Sequence, residues 1–155
     1  MIGPFRSTAP EAREDSADLL LMPEATAADW VKVFAHAEPL RVAAGLAVLQ
    51  AGEVDRGLYL ITDGTLGVQL PRGESAFKTI EAPAVVGELA FFDGLPRSAT
   101  LVAETDVEAV RLDPAGFDRL AEQEPELARA LLLDLARILA LRLRMASDVI
   151  AGLEA

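Results

Sequence analysis

Three patterns of apolar and polar positions follow one another along the chain. From Thr26 onward Trp30, Val33, Phe34 and Ala37 recur at i, i+3, i+4 and i+7, which places them on one face of a helix. Thr26 is placed to cap that helix, and Asp29 suits its first turn. Between about Leu40 and Leu112 the helical period is lost. Short runs, Leu58-Tyr59-Leu60-Ile61, Leu66-Gly67-Val68-Gln69-Leu70 and Val107-Glu108-Ala109-Val110-Arg111-Leu112, are divided by turn residues. Asp63-Gly64 reads as a hairpin, and Ala51-Gly52-Glu53, Pro71-Arg72-Gly73 and Phe92-Asp93-Gly94 read as turns. Many short strands at regular spacing predict a sandwich, barrel or jelly roll. After Asp113-Pro114, a cap followed by a first-position proline, helices return. Pro125 then opens a long segment that runs to about Gly152 without another proline or glycine.

That last segment carries two apolar stripes. Leu131, Leu135, Ile138, Met145 and Val149 form one; Leu132, Ala136, Leu139, Leu143, Ala146, Ile150 and Leu153 form the other. A helix lying on one surface needs a single stripe. The alternating three and four spacing of the second predicts pairing with another copy of the chain, a homodimer, with deep burial in a monomer as the alternative. Residues 1–24 mix Pro, Ser, Glu, Asp and Arg and read as a flexible arm, whose Leu19-Leu20-Leu21-Met22 patch docks on the body. The expected fold is mostly β with α. A β-roll with flanking helices (25–124) lies between the arm and a long C-terminal helix (125–155).

Composition narrows the chemistry. At 155 residues, 52% of them apolar, there is material for one domain with a real core, and with aromatics at 5% that core is built from Leu, Val, Ile and Ala. No apolar run approaches the ~18 residues that span a bilayer, no signal peptide is visible, and cysteine is absent, so a cytoplasmic protein away from membranes is expected. The net charge of −11 repels nucleic acid and anionic membranes. A small anion can still bind, but only at a locally positive spot.

One segment offers such a spot: Val86-Gly87-Glu88-Leu89-Ala90-Phe91-Phe92-Asp93-Gly94-Leu95-Pro96-Arg97-Ser98-Ala99-Thr100. Gly87 lets a ligand approach the backbone, and the free N–H groups of the short helix after it favour an anion. Glu88 repels a phosphate but accepts a hydrogen bond from a hydroxyl, such as a ribose supplies. Arg97 brings a permanently charged fork suited to phosphate oxygens, with Ser98 and the Ala99 N–H as further donors. A hydroxyl-reading carboxylate beside a phosphate-reading arginine describes a nucleotide. The bland reading pairs Arg97 with Glu88 or Asp93 on an empty surface.

Gly-Glu-Leu-Ala followed by Pro-Arg-Ser-Ala resembles the phosphate-binding cassette of cyclic-nucleotide-binding domains, found in the catabolite activator protein, the regulatory subunit of cAMP-dependent protein kinase and cyclic-nucleotide-gated channels. The likeness runs over about residues 38–152. It implies that the Gly87 and Leu89–Ala90 backbone borders the sugar-phosphate, Glu88 binds the ribose 2′-hydroxyl, Arg97 pairs with the exocyclic phosphate oxygen, and Ser98 and Ala99 complete the phosphate contacts. The family's long helix folds over the base as a lid, where Arg142 or Arg144 stands near the purine, and in some members it dimerises. The activator's Thr-Ser pair is replaced by Arg142-Leu143, and the segment Ala82-Pro83-Ala84-Val85-Val86 lacks the usual glycine and aromatics. A hydroxyl after the cassette arginine can favour guanine, and Ser98 supplies one; cAMP is nonetheless the expected ligand over cGMP. The chain ends at Ala155, where the activator continues into a helix-turn-helix, so no DNA-binding domain is expected.

Other chemistries find little support. His36 is the single histidine, which speaks against the metal centre of the similarly rolled cupins and against a Ser-His nucleophile. No nucleophile elbow and no phosphate loop of nucleotide hydrolases is present. No metal, no cofactor and no enzymatic activity are expected. The remaining alternative is a degenerate pocket on a dimeric scaffold that signals to a downstream protein without ligand.

Overall fold

The structure, a computed structural model, describes residues 4–8, 19–69 and 75–154. In chain order the first elements are β1 (Phe5–Arg6), β2 (Leu20–Leu21), α1 (Ala27–Phe34), β3 (Glu38–Val42), β4 (Ala47–Leu49), β5 (Leu58–Asp63) and β6 (Thr65–Gln69). They are followed by β7 (Ser75–Glu81), β8 (Ala84–Val86), α2 (Glu88–Asp93), β9 (Thr100–Ala103), β10 (Val107–Leu112), α3 (Pro114–Gln123) and α4 (Pro125–Glu154). The helix caps form where the sequence places them. Thr26 and Asp29 exchange side-chain to backbone hydrogen bonds of 3.1 and 3.0 Å at the start of α1. Asp113 accepts from the Gly116 N–H at 2.7 Å, with Pro114 at the first position of α3.

The strands form two sheets, ordered β2-β1-β8-β5-β10-β3 and β4-β9-β6-β7. They face one another across a core of Tyr59, Ile61, Val86 and Ala109 from the first sheet and Leu49, Leu66, Ile80 and Leu101 from the second. The other side of the six-stranded sheet carries Leu58, Leu60, Val85 and Leu112, which pack against Trp30 and Val33 of α1 and Leu131, Leu135 and Ile138 of α4. The four-residue apolar run of β5 is thus a strand buried on both faces, alternate side chains going to alternate cores. This is the expected β-roll between an N-terminal helix and a long C-terminal one.

Two expectations are corrected. Asp63-Gly64 does not close a hairpin: β5 pairs with β10 and β8, whereas β6 pairs with β9 and β7. The chain changes sheets there, at a Gly64 φ of +102° where a Cβ would stand 2.5 Å from the Asp106 carbonyl oxygen. A corner and a two-residue turn need the same left-handed glycine, so the dipeptide does not distinguish them. Nor is the N-terminal segment a free arm where it is described. Phe5 is buried edge-on against Trp30, with ring centroids 4.8 Å apart, and β1 pairs with both β8 and β2. Two or three anchors among polar residues make no periodicity, which is why the pattern hides them. The Pro71-Arg72-Gly73 turn lies outside the described residues.

On α4, Leu131, Leu135 and Ile138 are buried and Met145 packs on the same core. The second stripe is at the surface, with Leu143 69% and Ile150 55% exposed. Val149 and Leu153 lie outside the described side chains. Among the described residues no helix is long and apolar enough to cross a membrane.

Candidate functional site

The Gly87–Ala99 segment joins β8 to β9, and α2 within it is bounded by two left-handed glycines, Gly87 (φ +88°) and Gly94 (φ +69°). Gly87 is required twice over, by its backbone and by its neighbours. A Cβ there would meet Arg97 Nη1 at 2.7 Å and the Gly57 carbonyl oxygen at 2.9 Å.

Three polar or charged residues are buried among those described: Ser7 (1% exposed), Glu88 (4%) and Arg97 (6%). Such groups carry a large desolvation cost unless they are paired, so their partners define the site. Arg97 Nη1 donates to the Gly87 carbonyl at 3.1 Å, and Nη2 donates to the Gly57 carbonyl at 2.6 Å. Nη2 also stands 3.2 Å from Asp55 Oδ2, and the guanidinium lies 5.6 Å from the centre of the Tyr59 ring. Nε is buried without a hydrogen-bond partner among the described residues. The backbone of Arg97 is fixed as well: its N–H donates to the Glu53 carbonyl at 2.8 Å, and its carbonyl accepts from Gly52 at 2.9 Å. The predicted Ala51-Gly52-Glu53 turn therefore holds the arginine in place.

The counter-ion of Arg97 is neither Glu88 nor Asp93 but Asp55, a residue that sequence reasoning missed. Asp55 accepts from the Gly57 N–H (2.9 Å), the Tyr59 hydroxyl (2.6 Å) and Arg111, through Nε (3.2 Å) and Nη2 (2.7 Å). Burial alone would raise its pKa. The hydrogen bonds from Tyr59, Arg111, Gly57 and Arg97 outweigh burial and hold the carboxyl well below the usual carboxylate range. Burial, and then the Asp55 carboxylate, push the Tyr59 hydroxyl up. Nothing local marks Asp55 in the sequence. The nearest signal is Arg111, a charge in line with the buried Val107 and Ala109 of β10.

Glu88 has its own set of partners. Ser7 Oγ donates to Oε2 at 2.5 Å, and Arg142 Nη1, reaching from α4, donates to the same oxygen at 3.0 Å. Arg142, expected beside a purine, pairs with the Glu88 carboxylate, while Arg144 is exposed. Ala90 is buried, Ala99 half-buried, and Leu89 and Ser98 are exposed. The segment therefore brings Gly87 and Arg97 into direct contact, and joins Glu88 to Arg142. It offers a guanidinium for an anion and a carboxylate for a hydroxyl. Among the described residues no His, Asp or Glu cluster could hold a metal ion.

Comparison with known proteins matches this geometry to a family. The model of the "Cyclic nucleotide-binding domain" family matches residues 39–124. The "CRP-like cAMP-activated global transcriptional regulator" of Mycobacterium tuberculosis is 33% identical over 119 residues, which is 75% of this chain and 51% of that protein. The chain thus spans about half the length of this curated relative. Among solved structures, a cyclic nucleotide-binding domain from Methylobacillus flagellatus superposes with a TM-score of 0.65 at 26% identity, covering 76% of this chain and 68% of that one. The Thermus thermophilus catabolite activator protein has the same fold, with a TM-score of 0.74 at 22% identity, covering 86% and 62%. The matched residues take in the β-roll from Pro39 and the Gly87–Ala99 segment, more than half of the sequence: the chain belongs to the cyclic nucleotide-binding domain family.

Proposed function

We propose that this chain binds a cyclic nucleotide, cAMP in preference to cGMP, on the Gly87–Ala99 segment, and signals through movement of α4. The observation that carries this reading is a buried arginine with an unpartnered Nε and a buried glutamate at opposite ends of one loop. An anionic phosphate supplies the acceptor that Arg97 Nε lacks, and a ribose hydroxyl suits a carboxylate. The mycobacterial relative is named for activation by cAMP, which supports adenine over guanine. On this reading Leu89, Ala90 and Ala99 contribute backbone contacts, and Ser98 turns its exposed hydroxyl to the phosphate.

Arg142 connects ligand to output. It pairs with Glu88, so a hydroxyl arriving at that carboxylate alters the environment of a residue on α4. The ligand biases α4 only by binding one of its positions better than another. The role is regulatory rather than catalytic, in a cytoplasmic setting, with the exposed stripe of α4 joining two copies.

A second reading has an observation of its own. Arg97 is already neutralised by Asp55, as in a degenerate pocket that serves as a scaffold. Titration calorimetry with cAMP and with cGMP decides between the two, repeated on Arg97→Ala. Binding that prefers cAMP and weakens at least about tenfold in the variant supports the sensor. No heat with either nucleotide in folded protein supports the scaffold.

A further inference from the structure

Ser7 is 1% exposed, and its hydroxyl donates not to its own segment but to Glu88, 81 residues away. The segment has other anchors. Phe5 is buried against Trp30, Arg6 N–H donates to the Pro83 carbonyl, and Ser7 N–H donates to the Leu19 carbonyl at 2.8 Å. The segment is thus seated by contacts besides the hydroxyl, which points to Glu88. It converges with Arg142 on one carboxylate oxygen, Oε2, at 2.5 and 3.0 Å. A carboxylate has about four acceptor directions on two oxygens. Two donors on Oε2, one from β1's end and one from α4, fix the rotation of the group and leave Oε1 as the acceptor for a ligand.

Resting on the cyclic-nucleotide reading, we propose that Ser7 is a positioning residue of the ligand site. With Arg142 it clamps Glu88 Oε2 so that Oε1 meets the sugar 2′-hydroxyl. It touches no ligand itself and acts through Glu88. A short hydroxyl-to-carboxylate bond is among the stronger hydrogen bonds. Its loss lets the carboxylate turn and dilutes the geometry that reads the hydroxyl, while the phosphate grip of Arg97 stays as it was.

The test separates positioning from mere packing, because only a hydroxyl-reading role changes the preference for a ribose over a deoxyribose. Dissociation constants for cAMP and 2′-deoxy-cAMP are measured by calorimetry on the wild type and Ser7→Ala. Emission from Trp30, which packs on Phe5, reports that the segment stays seated. The wild type is expected to prefer the ribose ligand, and Ser7→Ala to cut that preference by about threefold or more. If Ser7→Ala unseats the segment, Ser7→Cys, which fills the space with a far weaker donor, is read on the same ratio. An unchanged ratio, or tighter cAMP binding in the variant, overturns the proposal, the latter because Ser7 would then compete with the ligand. A wild type that binds both ligands equally overturns it while leaving nucleotide binding intact. A wild type that binds neither overturns the nucleotide reading and the proposal together.

Discussion

An arginine buried to the depth of Arg97 needs a counter-ion, and Asp55 supplies it from a loop distant in sequence. The pairing predicts different outcomes for the two partners. In Arg97→Ala the Asp55 carboxylate keeps Tyr59, the Gly57 N–H and Nε and Nη2 of Arg111, so the fold survives and ligand binding bears the loss. In Asp55→Ala two guanidinium groups and a hydroxyl lose their shared acceptor, one guanidinium being buried. Denaturant unfolding is then expected to show a loss of about 2–4 kcal/mol. The pH dependence has a definite sign. The folded-state pKa of Asp55 lies below its ordinary value of about 3.9, so its contribution is fully present above that value and declines as pH falls further. Asp55→Asn is expected to flatten the acid limb of melting temperature against pH between about pH 4 and 2; a limb of wild-type steepness would assign acid unfolding to other groups. Gly87, Glu88 and Arg97 stand out in the sequence because they are spaced within one loop, and the structure buries Glu88 and Arg97 there and joins Arg97 to the Gly87 carbonyl. Asp55 and Ser7 are not, since each acts on a partner that only the packing of distant segments brings near.

Elements were readable where local chemistry alone decides them. Thr26 with Asp29 and Asp113 with Pro114 set the starts of α1 and α3, and they do so whatever the rest of the chain does. The Asp63-Gly64 corner and the burial of β1 depend on which sheet receives the next strand, and no local residue encodes that. The same distinction explains α4. Its length follows from a run free of breakers, but its attachments lie elsewhere: Asp134 accepts from the Met22 N–H at 2.7 Å, Arg137 donates to the Leu20 carbonyl at 3.1 Å, and Arg142 pairs with Glu88. The first two hold the middle of α4 to the N-terminal segment, and the third holds the next turns to the site. Arg142→Ala leaves Glu88 buried with Ser7 as its remaining partner of the two. Faster amide hydrogen exchange is expected in α4 beyond about residue 140, with the helix before Asp134 unaffected. Exchange equal to wild type along the whole helix would mean that Arg142 does not hold it.

At the scale of the whole molecule, charge and apolar surface point in opposite directions, and α4 is where they reconcile. A net charge of −11 on each copy opposes association. That charge is not spread evenly: α4 carries four arginines against four carboxylates, so the excess lies on the rest of the chain. The electrostatically neutral element also bears the surface stripe, exposed at Leu132, Ala136, Leu143 and Ile150 and half-buried at Leu139 and Ala146, spaced alternately by four and three. That spacing keeps a seam of knobs facing a like helix over three heptads. A symmetric pairing buries each exposed side chain twice, with Leu143 and Ile150 contributing most, each up to about 1.5–3 kcal/mol before the entropy of association is subtracted. The expectation is a homodimer whose mass by light scattering is twice 16.5 kDa and whose association strengthens with salt as the like charges are screened. Leu143→Glu with Ile150→Glu puts four carboxylates into the seam and is expected to give monomers. The buried stripe, which faces the roll, is untouched, so the fold and the Glu88–Arg142 pair persist. A monomeric wild type at tens of micromolar would leave the stripe for another protein and make α4, rather than a second copy, the surface that a partner meets.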